Sequence, residues 1–267
     1  MQVINEQGQP LYQYVIPPMV EIPAGQFLMG NDPQDVQAKR GEFPLHLVNL
    51  DVSEIAFHPL AVFEYLLYLQ AVRLLDATSE YRMACLHSHY PPGYRKSEPH
   101  LYLDYPVEGM TWHEATAYAD RLAQVTGERW HLPTEAEWEK AARGLDGRLY
   151  PWGNEWEKDK ANTSDGGLQE TTPLGSYPDG RSPYGVYDMA GNVFEWTRSS
   201  YKRSPYREVG GDEPQYKKLV IRGGAASVHP LHTRVASRNK AWPTQPLANQ
   251  GMRLARGMNS IFLATEL

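Results

Sequence analysis

The chain has 267 residues, a formal net charge of -6 and a single cysteine, and 41% of its residues are hydrophobic. This composition is ordinary for a globular protein with a sizeable core, and the negative charge gives no electrostatic reason to expect nucleic acid as a partner. Cys85 excludes an intrachain disulfide, no apolar stretch reaches the roughly 20 residues of a membrane span, and the start MQVINEQGQP shows no secretory signal, so a cytoplasmic protein is expected.

The first third of the chain predicts short strands and one buried helix. After an N-terminal arm at 1–17, MVEIPAGQFLMG predicts a β-hairpin around a Pro-Ala-Gly turn. Apolar residues then alternate in strand fashion from His46 to Phe57. The segment PLAVFEYLLYLQAVRLL places Pro59 at the first helical position and is apolar all round, which predicts a buried helix, and a loop is expected over 76–105.

Two further helices carry start and stop signals. Thr111 followed by Glu114 is a capping-box pattern at the start of TWHEATAYADRLAQVTG. Thr134 followed by Glu137 repeats that pattern at the start of TEAEWEKAARG. Both segments end in glycine, the residue that most often terminates a helix.

The second half of the chain predicts short strands separated by long loops. The strand candidates are VFEW, KLVIR, TRVAS and GMRLA. A few helices early in the chain and many short strands late indicate an α+β fold. There is no repeat, low-complexity segment or linker, so one domain is expected over 1–267, with its core at about 18–256.

Four groups of segments carry a resemblance to a known family. In order they are VEIPAGQFLMG, then PVEGMTWHEATAYADRL with GERWHLPTEAEWEKAARG, then YPWGNEW with GVYDMAGNVFEWT, and finally VIRGG, RVASRN and NQGMRLAR. Their order and spacing resemble the formylglycine-generating enzyme, or sulfatase-modifying-factor, family over roughly 18–256. The resemblance implies the C-type-lectin-like fold of that subclass, with few helices, short antiparallel strands and long loops.

The resemblance does not extend to the chemistry of the family's oxidases. Those enzymes use two cysteines after the RGG to bind copper(I), a soft metal that prefers thiolates. The matching segment here is RGGAASVHPLHTRVASRN, in which Val228 occupies the position that best matches the first cysteine and no second cysteine follows. Cys85 is far away in sequence. No copper is therefore expected, and the sequence favours a protein without oxidase activity.

Four histidines leave an enzymatic alternative open. Related domains form part of iron-dependent sulfoxide synthases, whose histidine ligands lie mostly in a separate helical domain with no counterpart in this sequence. The candidate ligands here are His87, His89, His229 and His232, since imidazole suits iron, copper or zinc. A metal-dependent oxidoreductase that uses iron or copper is therefore the second hypothesis. Iron is not the expected cofactor, because no carboxylate lies at the spacing of a facial triad. Loop histidines that hydrogen-bond locally are the ordinary explanation.

Calcium, in a structural role, is the cofactor that the resemblance implies. The family binds calcium through side-chain and backbone oxygens in a loop after the PWGN motif and in the GNxWEW loop, and loops rich in Asn, Asp and Gly supply such oxygens. An ordinary Asx-turn is the alternative for the first loop. By resemblance, the first set is Asn162, Thr163 and Asp165, and the second is Asp188, Met189, Gly191 and Val193.

The C-terminal segment also resembles the variable region of diversity-generating retroelement proteins, which use this subclass of the fold. It runs from Arg222 to Arg253 as RGG, a loop, an RN strand, a second loop and a closing GMRLAR strand. Loops on a rigid base suit ligand binding. The residues expected to contact a ligand are Ala226, Ser227, Val228, His229, Leu231, His232, Asn239, Trp242, Thr244 and Leu247.

The favoured hypothesis is a non-catalytic ligand-binding protein that presents loops at about 222–253, and within it a retroelement variable protein. The alternatives are the metal-dependent oxidoreductase and an accessory interaction domain. A protein or another surface-displayed molecule is the expected ligand. The exposure of Trp242 and Leu247 tests part of this hypothesis, because these side chains can contact a ligand only if they are not packed into the core.

Overall fold

The computed structural model describes residues 3–4, 10–11, 15–32, 34–71, 103–201 and 217–257. The helices in these ranges are α1 (Val62–Ala71), α2 (Trp112–Thr126) and α3 (Glu135–Arg143). The strands are β1 (Val3–Ile4), β2 (Pro10–Leu11), β3 (Met19–Ile22), β4 (Gly25–Met29), β5 (His46–Leu50), β6 (Ser53–Ala56), β7 (Trp130–His131), β8 (Phe194–Ser200), β9 (Leu219–Arg222), β10 (Asn239–Ala241), β11 (Gln250–Gly251) and β12 (Ala255–Gly257). No described helix is long and apolar enough to cross a membrane.

Two four-stranded sheets form the scaffold. Their strand orders are β3-β6-β12-β7 and β10-β9-β8-β11, and every pairing in them is antiparallel except that of β11 with β8. Two-stranded sheets join β4 to β5 and β1 to β2. The few helices, short antiparallel strands and long loops confirm the predicted α+β fold.

The capping signals of the two central helices are confirmed. The side chain of Thr111 accepts a hydrogen bond from the backbone N–H of Glu114, whose carboxylate accepts the N–H of Thr111 in return. Thr134 and Glu137 form the same box at the start of α3. Gly127 ends α2 in the left-handed conformation, with φ 74°. Each such cap typically stabilises a helix by about 1 kcal/mol.

The largest core cluster joins α2 to the sheet that contains β8 and β9. Tyr118 and Leu122 of α2 are buried in it together with Trp196 of β8. The indole N–H of Trp196 donates to the carbonyl of Met110 at 2.8 Å, so this large ring is buried without leaving its donor unsatisfied. The GNVFEW string is therefore a packing element of the core.

Buried ion pairs link the sheets to α3. The Arg253 guanidinium donates to both carboxylate oxygens of Glu195, at 2.6 and 2.8 Å, and Glu195 also accepts the indole N–H of Trp138 at 2.7 Å. On the same helix, Glu139 pairs with Arg222 of β9. Because these charges are fully buried, each needs its partner to remain in place.

The predicted hairpin over MVEIPAGQFLMG is wrong in its pairing. Both strands form, but β3 pairs with β6 and β4 pairs with β5, so they belong to different sheets. The single strand predicted from His46 to Phe57 also divides, into β5 and β6 at 51–52. The chain crosses between two sheets at both places. Alternation of apolar residues fixes which face of a strand is buried, not which neighbour it pairs with.

Three other predicted elements differ from the structure. GMRLA is not one strand, because residues 252–254 connect β11 of one sheet to β12 of the other. TRVAS forms bends and a turn, because the buried Arg234 is directed at the 31–42 loop and not along a strand. The predicted helix starts at Val62, three residues after Pro59. Most of the predicted loop at 76–105 lies outside the described residues.

Gly191 explains why the GNVFEW string must begin with glycine. Its φ is 78°, in the left-handed region, and a Cβ at this position would lie 2.1 Å from the carbonyl oxygen of Asn162. Its N–H donates to the carbonyl of Gly223 at 2.8 Å. Any side chain here would push apart the two loops that meet at this point, so the position combines a conformational and a steric requirement.

Candidate ligand-binding cleft

A cleft of about 530 Å³ opens beside the C-terminal loop. Its walls come from 35–37, from 149–156 and from 229–231, and Asp165 also lines it. This volume lies within the range of small-molecule binding sites. Three segments that are distant in sequence therefore form one concave surface.

The first wall is aromatic. Tyr150 and Trp156 line the cleft with ring centroids 5.2 Å apart, and Trp152 packs against both of them at 5.3 and 5.5 Å. The indole N–H of Trp156 donates to the Asp165 carboxylate at 2.8 Å, and that of Trp152 donates to the Glu155 carbonyl at 2.9 Å. Since both donors are satisfied within the protein, the rings are held in place before any ligand arrives.

The second wall is the C-terminal loop after RGG. A short 3₁₀ helix, Pro230–His232, is capped by His229, whose Nδ1 accepts the N–H of Leu231 at 3.2 Å. The carbonyl of Val228 accepts the N–H of Ser164 at 3.0 Å, while its side chain packs against the main core cluster. The loop is thus fixed at both its backbone and its side chains.

The third wall is the loop between β4 and β5, which Arg234 anchors. The Arg234 guanidinium donates to the Asp35 carboxylate at 3.0 Å, to the Gln37 carbonyl at 2.7 Å and to the Glu42 carboxylate at 3.0 Å. Val36, at the rim, has an exposed fraction of 98%. The loop is thus anchored from behind by a buried charged group, while its tip is open to solvent.

The charge of the cleft is negative. Asp35, Glu155 and Asp165 line it, and among the described residues no lysine or arginine does. Burial raises the pKa of Tyr150, and these three carboxylates raise it further while Arg234 opposes them. All three carboxylates therefore act on the same phenol inside the cleft.

The structure places the first group of predicted ligand residues at or beside the cleft. His229 and Leu231 line it, and Val228 is half-buried behind them. Ala226 was expected to contact a ligand, but its exposed fraction is only 3%, since its N–H donates to the Asn192 carbonyl beneath the surface. It contributes no surface, and the prediction for this residue is corrected accordingly.

His232 lies outside the cleft lining. Its Nδ1 accepts a hydrogen bond from the Lys39 ammonium at 2.9 Å. Burial lowers the pKa of His232, and the charge of Lys39 lowers it further. The contact with Lys39 makes His232 part of the support for the loop.

The remaining predicted ligand residues form a separate surface. Trp242 is 43% exposed and Leu247 is 36% exposed, so neither is packed into the core. The Lys218 ammonium lies 5.2 Å from the Trp242 ring centroid. Exposed Ser227 accepts a hydrogen bond from Asn249 at 3.4 Å, which joins the two loops. Asn239, on β10, is half-buried and Thr244 is exposed.

The histidine hypothesis gains no geometric support in the described part of the chain. The Nδ1 atoms of His229 and His232 are already hydrogen-bonded, to Leu231 and Lys39. The described residues contain no group of three His, Cys, Asp or Glu side chains that could hold a metal ion. His87, His89 and Cys85 lie outside the described residues.

The residues of the first predicted calcium set are hydrogen-bonded within their own loop and to the segments beside it. The Asn162 amide donates to the Glu170 carbonyl at 2.9 Å and to the Asn192 side chain at 3.2 Å. The Asp165 carboxylate accepts instead from Trp156 and from the Thr163 hydroxyl, and the Thr163 carbonyl accepts the N–H of Gly166. The Asn162 side-chain oxygen, however, is buried without a hydrogen-bond partner in the described part of the chain, so calcium at this set stays a prediction.

The second predicted set centres on Asp188, which is buried with φ 55°. Its carboxylate accepts the N–H of Gly175 at 2.9 Å, and burial raises its pKa to about 6. The carbonyls of Met189 and Val193 both lie beside Gly223, and the N–H of Gly191 donates to the Gly223 carbonyl. A buried carboxylate near backbone carbonyls is compatible with a hard cation, so calcium at this set stays a prediction.

Sequence reasoning missed two of the three walls. YPWGNEW places Tyr150, Trp152 and Trp156 within seven residues, and that density was an available signal. The same string also matches the scaffold of the family, which hides its role as a wall of the cleft. The 35–37 wall carries no local signal, because its position depends on Arg234, which is about 200 residues away in sequence.

Comparison with known proteins establishes the family. The model of the sulfatase-modifying factor enzyme 1-like domain matches residues 6–258. The chain belongs to this family. The formylglycine-generating enzyme of Thermomonospora curvata is 29% identical, over 89% of this chain and 92% of its own length. Serine/threonine-protein kinase pkn1 of Chlamydia pneumoniae is 34% identical over 95% of this chain, but the chain spans only 40% of that relative's length.

Solved structures agree with this family assignment. The structure of PvdO from Pseudomonas aeruginosa is 27% identical with a TM-score of 0.71, covering 91% of this chain and 95% of that chain. Variable protein 1 of Treponema denticola is 18% identical with a TM-score of 0.65, covering 89% and 94%. The second likeness concerns the fold alone. The predicted fold subclass is confirmed.

Proposed function

We propose that this chain is a non-catalytic ligand-binding protein and that the cleft is its binding site. The observation that carries the proposal is the cleft itself, where the loop after RGG meets a wall of aromatic rings. Its donors are satisfied and its loops are anchored by buried groups, so it is preformed. A preformed pocket loses little conformational entropy when a ligand binds, because its side chains and loops are already ordered.

The packing of Val228 supports a role without oxidase chemistry. This residue occupies the position that best matches the first oxidase cysteine, and its side chain lies against the main core cluster. Its carbonyl is tied to Ser164. The family fold is therefore retained with a packing residue at that position, while the surface next to it is aromatic and acidic.

Replacing Trp156 by leucine tests the proposal. A thermal-shift screen of cationic, anionic and neutral small molecules is expected to yield compounds that raise the melting temperature of the wild type. We expect their affinity, measured by tryptophan fluorescence, to fall about tenfold or more in Trp156→Leu, the range in which loss of an aromatic anchor falls.

The matched control is Trp242→Leu, the same substitution at an exposed tryptophan that does not line the cleft. It is expected to change affinity less than twofold. Binding that depends on Trp242 and not on Trp156 would move the site to the other loops. The absence of any compound that depends on Trp156 would refute the cleft as a binding site.

We extend the proposal to a variable protein of a diversity-generating retroelement. The exposed residues Ser227, Trp242, Thr244 and Leu247 fit that role, because their replacement does not disturb the core. The gene is expected to lie beside a reverse-transcriptase gene and a near-copy of its 3′ end that differs at template adenines. Sequencing the neighbourhood checks this, and a lack of both elements would refute the extension without touching the cleft.

A further inference from the structure

Trp156 is flanked by two carboxylates that have no cationic partner in the described part of the chain. The Asp165 carboxylate accepts from the Trp156 indole and the Thr163 hydroxyl, both of which are neutral donors. The Glu155 side chain is exposed and forms no hydrogen bond or ion pair with the described residues, although its backbone carbonyl accepts from Trp152. Two negative charges therefore remain uncompensated at one wall of the cleft.

The third carboxylate of the cleft, Asp35, differs from these two because its charge is paired within the protein. Asp35 is paired with Arg234, whose other contacts go to Glu42 and the Gln37 carbonyl. This arginine lies fully buried behind the wall and is not among the residues that line the cleft. Its charge is balanced by Asp35 and Glu42, so it leaves Glu155 and Asp165 without a counterion.

Aromatic rings and carboxylates in one concavity favour a positively charged guest. The face of a tryptophan or tyrosine ring attracts a cation electrostatically, because the ring carries partial negative charge on its faces. A carboxylate adds a charge-assisted hydrogen bond to an ammonium or guanidinium group. The same charges disfavour an anionic guest by like-charge repulsion.

We infer that the cleft takes an organic cation, an ammonium or guanidinium group that lies against Trp156 between Glu155 and Asp165. This inference rests on the proposed binding function and adds the chemical class of the ligand. The group can belong to a free amine or guanidine or to a lysine or arginine side chain of another protein, and both sources share the same chemistry.

Four probes distinguish these sources and the class. Agmatine represents a free guanidine, acetyl-Gly-Arg-Gly-amide an arginine side chain, acetyl-Gly-Gln-Gly-amide a neutral peptide and glutarate an anion. In calorimetric and fluorescence titrations of the full chain, agmatine or the arginine peptide is expected to bind at least tenfold more tightly than the other two. Affinity is expected to fall as salt rises, because exposed charges are screened. The tighter of the two cations identifies the source.

Two substitutions remove the charge and little else. Asp165→Asn keeps an oxygen that accepts from Trp156, and Glu155→Gln changes an exposed side chain without a described partner. Together they are expected to weaken the cation at least tenfold. Glu157→Gln, which has the same change in charge per site, is the control, because Glu157 pairs with Lys160 and does not line the cleft. It is expected to change affinity less than twofold.

Each outcome supports or overturns the inference. Equal losses in Glu157→Gln, or none in the double variant, would overturn it. If glutarate or the neutral peptide binds as tightly as the cations, and this binding depends on Trp156, the inference of a cationic ligand is overturned. The proposed binding function then remains intact. If no probe depends on Trp156 while compounds from the thermal-shift screen do, the inference fails and the proposed function stands; if neither the probes nor the screened compounds depend on Trp156, both fail. If Asp165→Asn does not fold, Glu155→Gln alone is expected to show a threefold loss or more.

Discussion

Arg253→Met is expected to lower the free energy of unfolding by about 3–5 kcal/mol, the usual cost of breaking a buried ion pair on one side. Among the described residues, the substitution leaves the fully buried Glu195 carboxylate with the Trp138 indole as its one remaining side-chain partner. It also removes donors from the carbonyls of Ala56 and Tyr187, at 2.9 and 2.8 Å. Urea denaturation monitored by circular dichroism measures the loss.

Arg256→Met is the matched control, at the last residue of the GMRLAR string that also contains Arg253. Arg256 donates to Glu54 at 2.6 Å and pairs with Glu128, but its side chain is 22% exposed. Its loss is expected to cost about 1 kcal/mol or less, as for surface pairs. Adding Glu195→Gln to Arg253→Met is expected to recover part of the stability, because the unpaired charge is gone. If the two substitutions lower the free energy of unfolding equally, burial of the ion pair does not determine its contribution to stability.

Local signals in the sequence predicted the parts of the fold that are determined locally. The capping boxes at Thr111 and Thr134 are confirmed, since each depends only on residues within one helical turn. The strings GNVFEW and GMRLAR indicated the scaffold, and their Glu195 and Arg253 form its buried pair. Strings of this kind are specific because they encode contacts that hold distant segments together.

Strand pairing and the walls of the cleft depend on contacts that no local pattern reveals. The turn after β3 leads the chain into another sheet, so the apparent hairpin never closes. TRVAS alternates like a strand, yet Arg234 turns it towards Asp35 and Glu42. Both errors have one cause, which is that periodicity reports burial and not partners.

The candidate site was half predictable for the same reason. His229 and Leu231 were named from the sequence because the loop after RGG is recognisable by its flanking strings. Tyr150 and Trp156 belong to a string that also serves the scaffold, so their second role as a cleft wall was hidden. When one residue both packs in the scaffold and lines a cleft, the sequence pattern that indicates the first role does not reveal the second.

Glu64 of α1 carries the second large expected effect, on the pH dependence of stability. Its side chain is buried, and one carboxylate oxygen accepts the N–H of Ala61 at 2.8 Å. The other oxygen is buried without a hydrogen-bond partner in the described part of the chain. Burial raises the pKa of Glu64 to about 7 from the 4.5 of an unperturbed glutamate. The neighbouring Tyr118, whose own pKa burial and Glu64 both raise, supplies no positive charge.

The sign of the effect follows from proton binding. Between pH 4.5 and about 7 the unfolded chain has released this proton and the folded chain still holds it. The contribution of Glu64 to stability is therefore lost as pH rises through this window, by roughly 3 kcal/mol in total. Glu64→Gln removes the ionisable group, keeps an oxygen for the Ala61 N–H, and is expected to abolish this part of the slope.

Urea denaturation of wild type and Glu64→Gln at pH 5, 6, 7 and 8 measures the difference, which isolates Glu64 from other buried acids such as Asp188. The variant is expected to gain on the wild type from pH 5 to about pH 7 and to level off by pH 8, above the pKa of Glu64 in the folded chain. Glu170→Gln, the same change at an exposed residue, is expected to run parallel to the wild type. If the stability of Glu64→Gln also runs parallel to that of the wild type over this pH range, the prediction is wrong. The folded protein would then hold Glu64 in its charged form, with α1 open to water at this point.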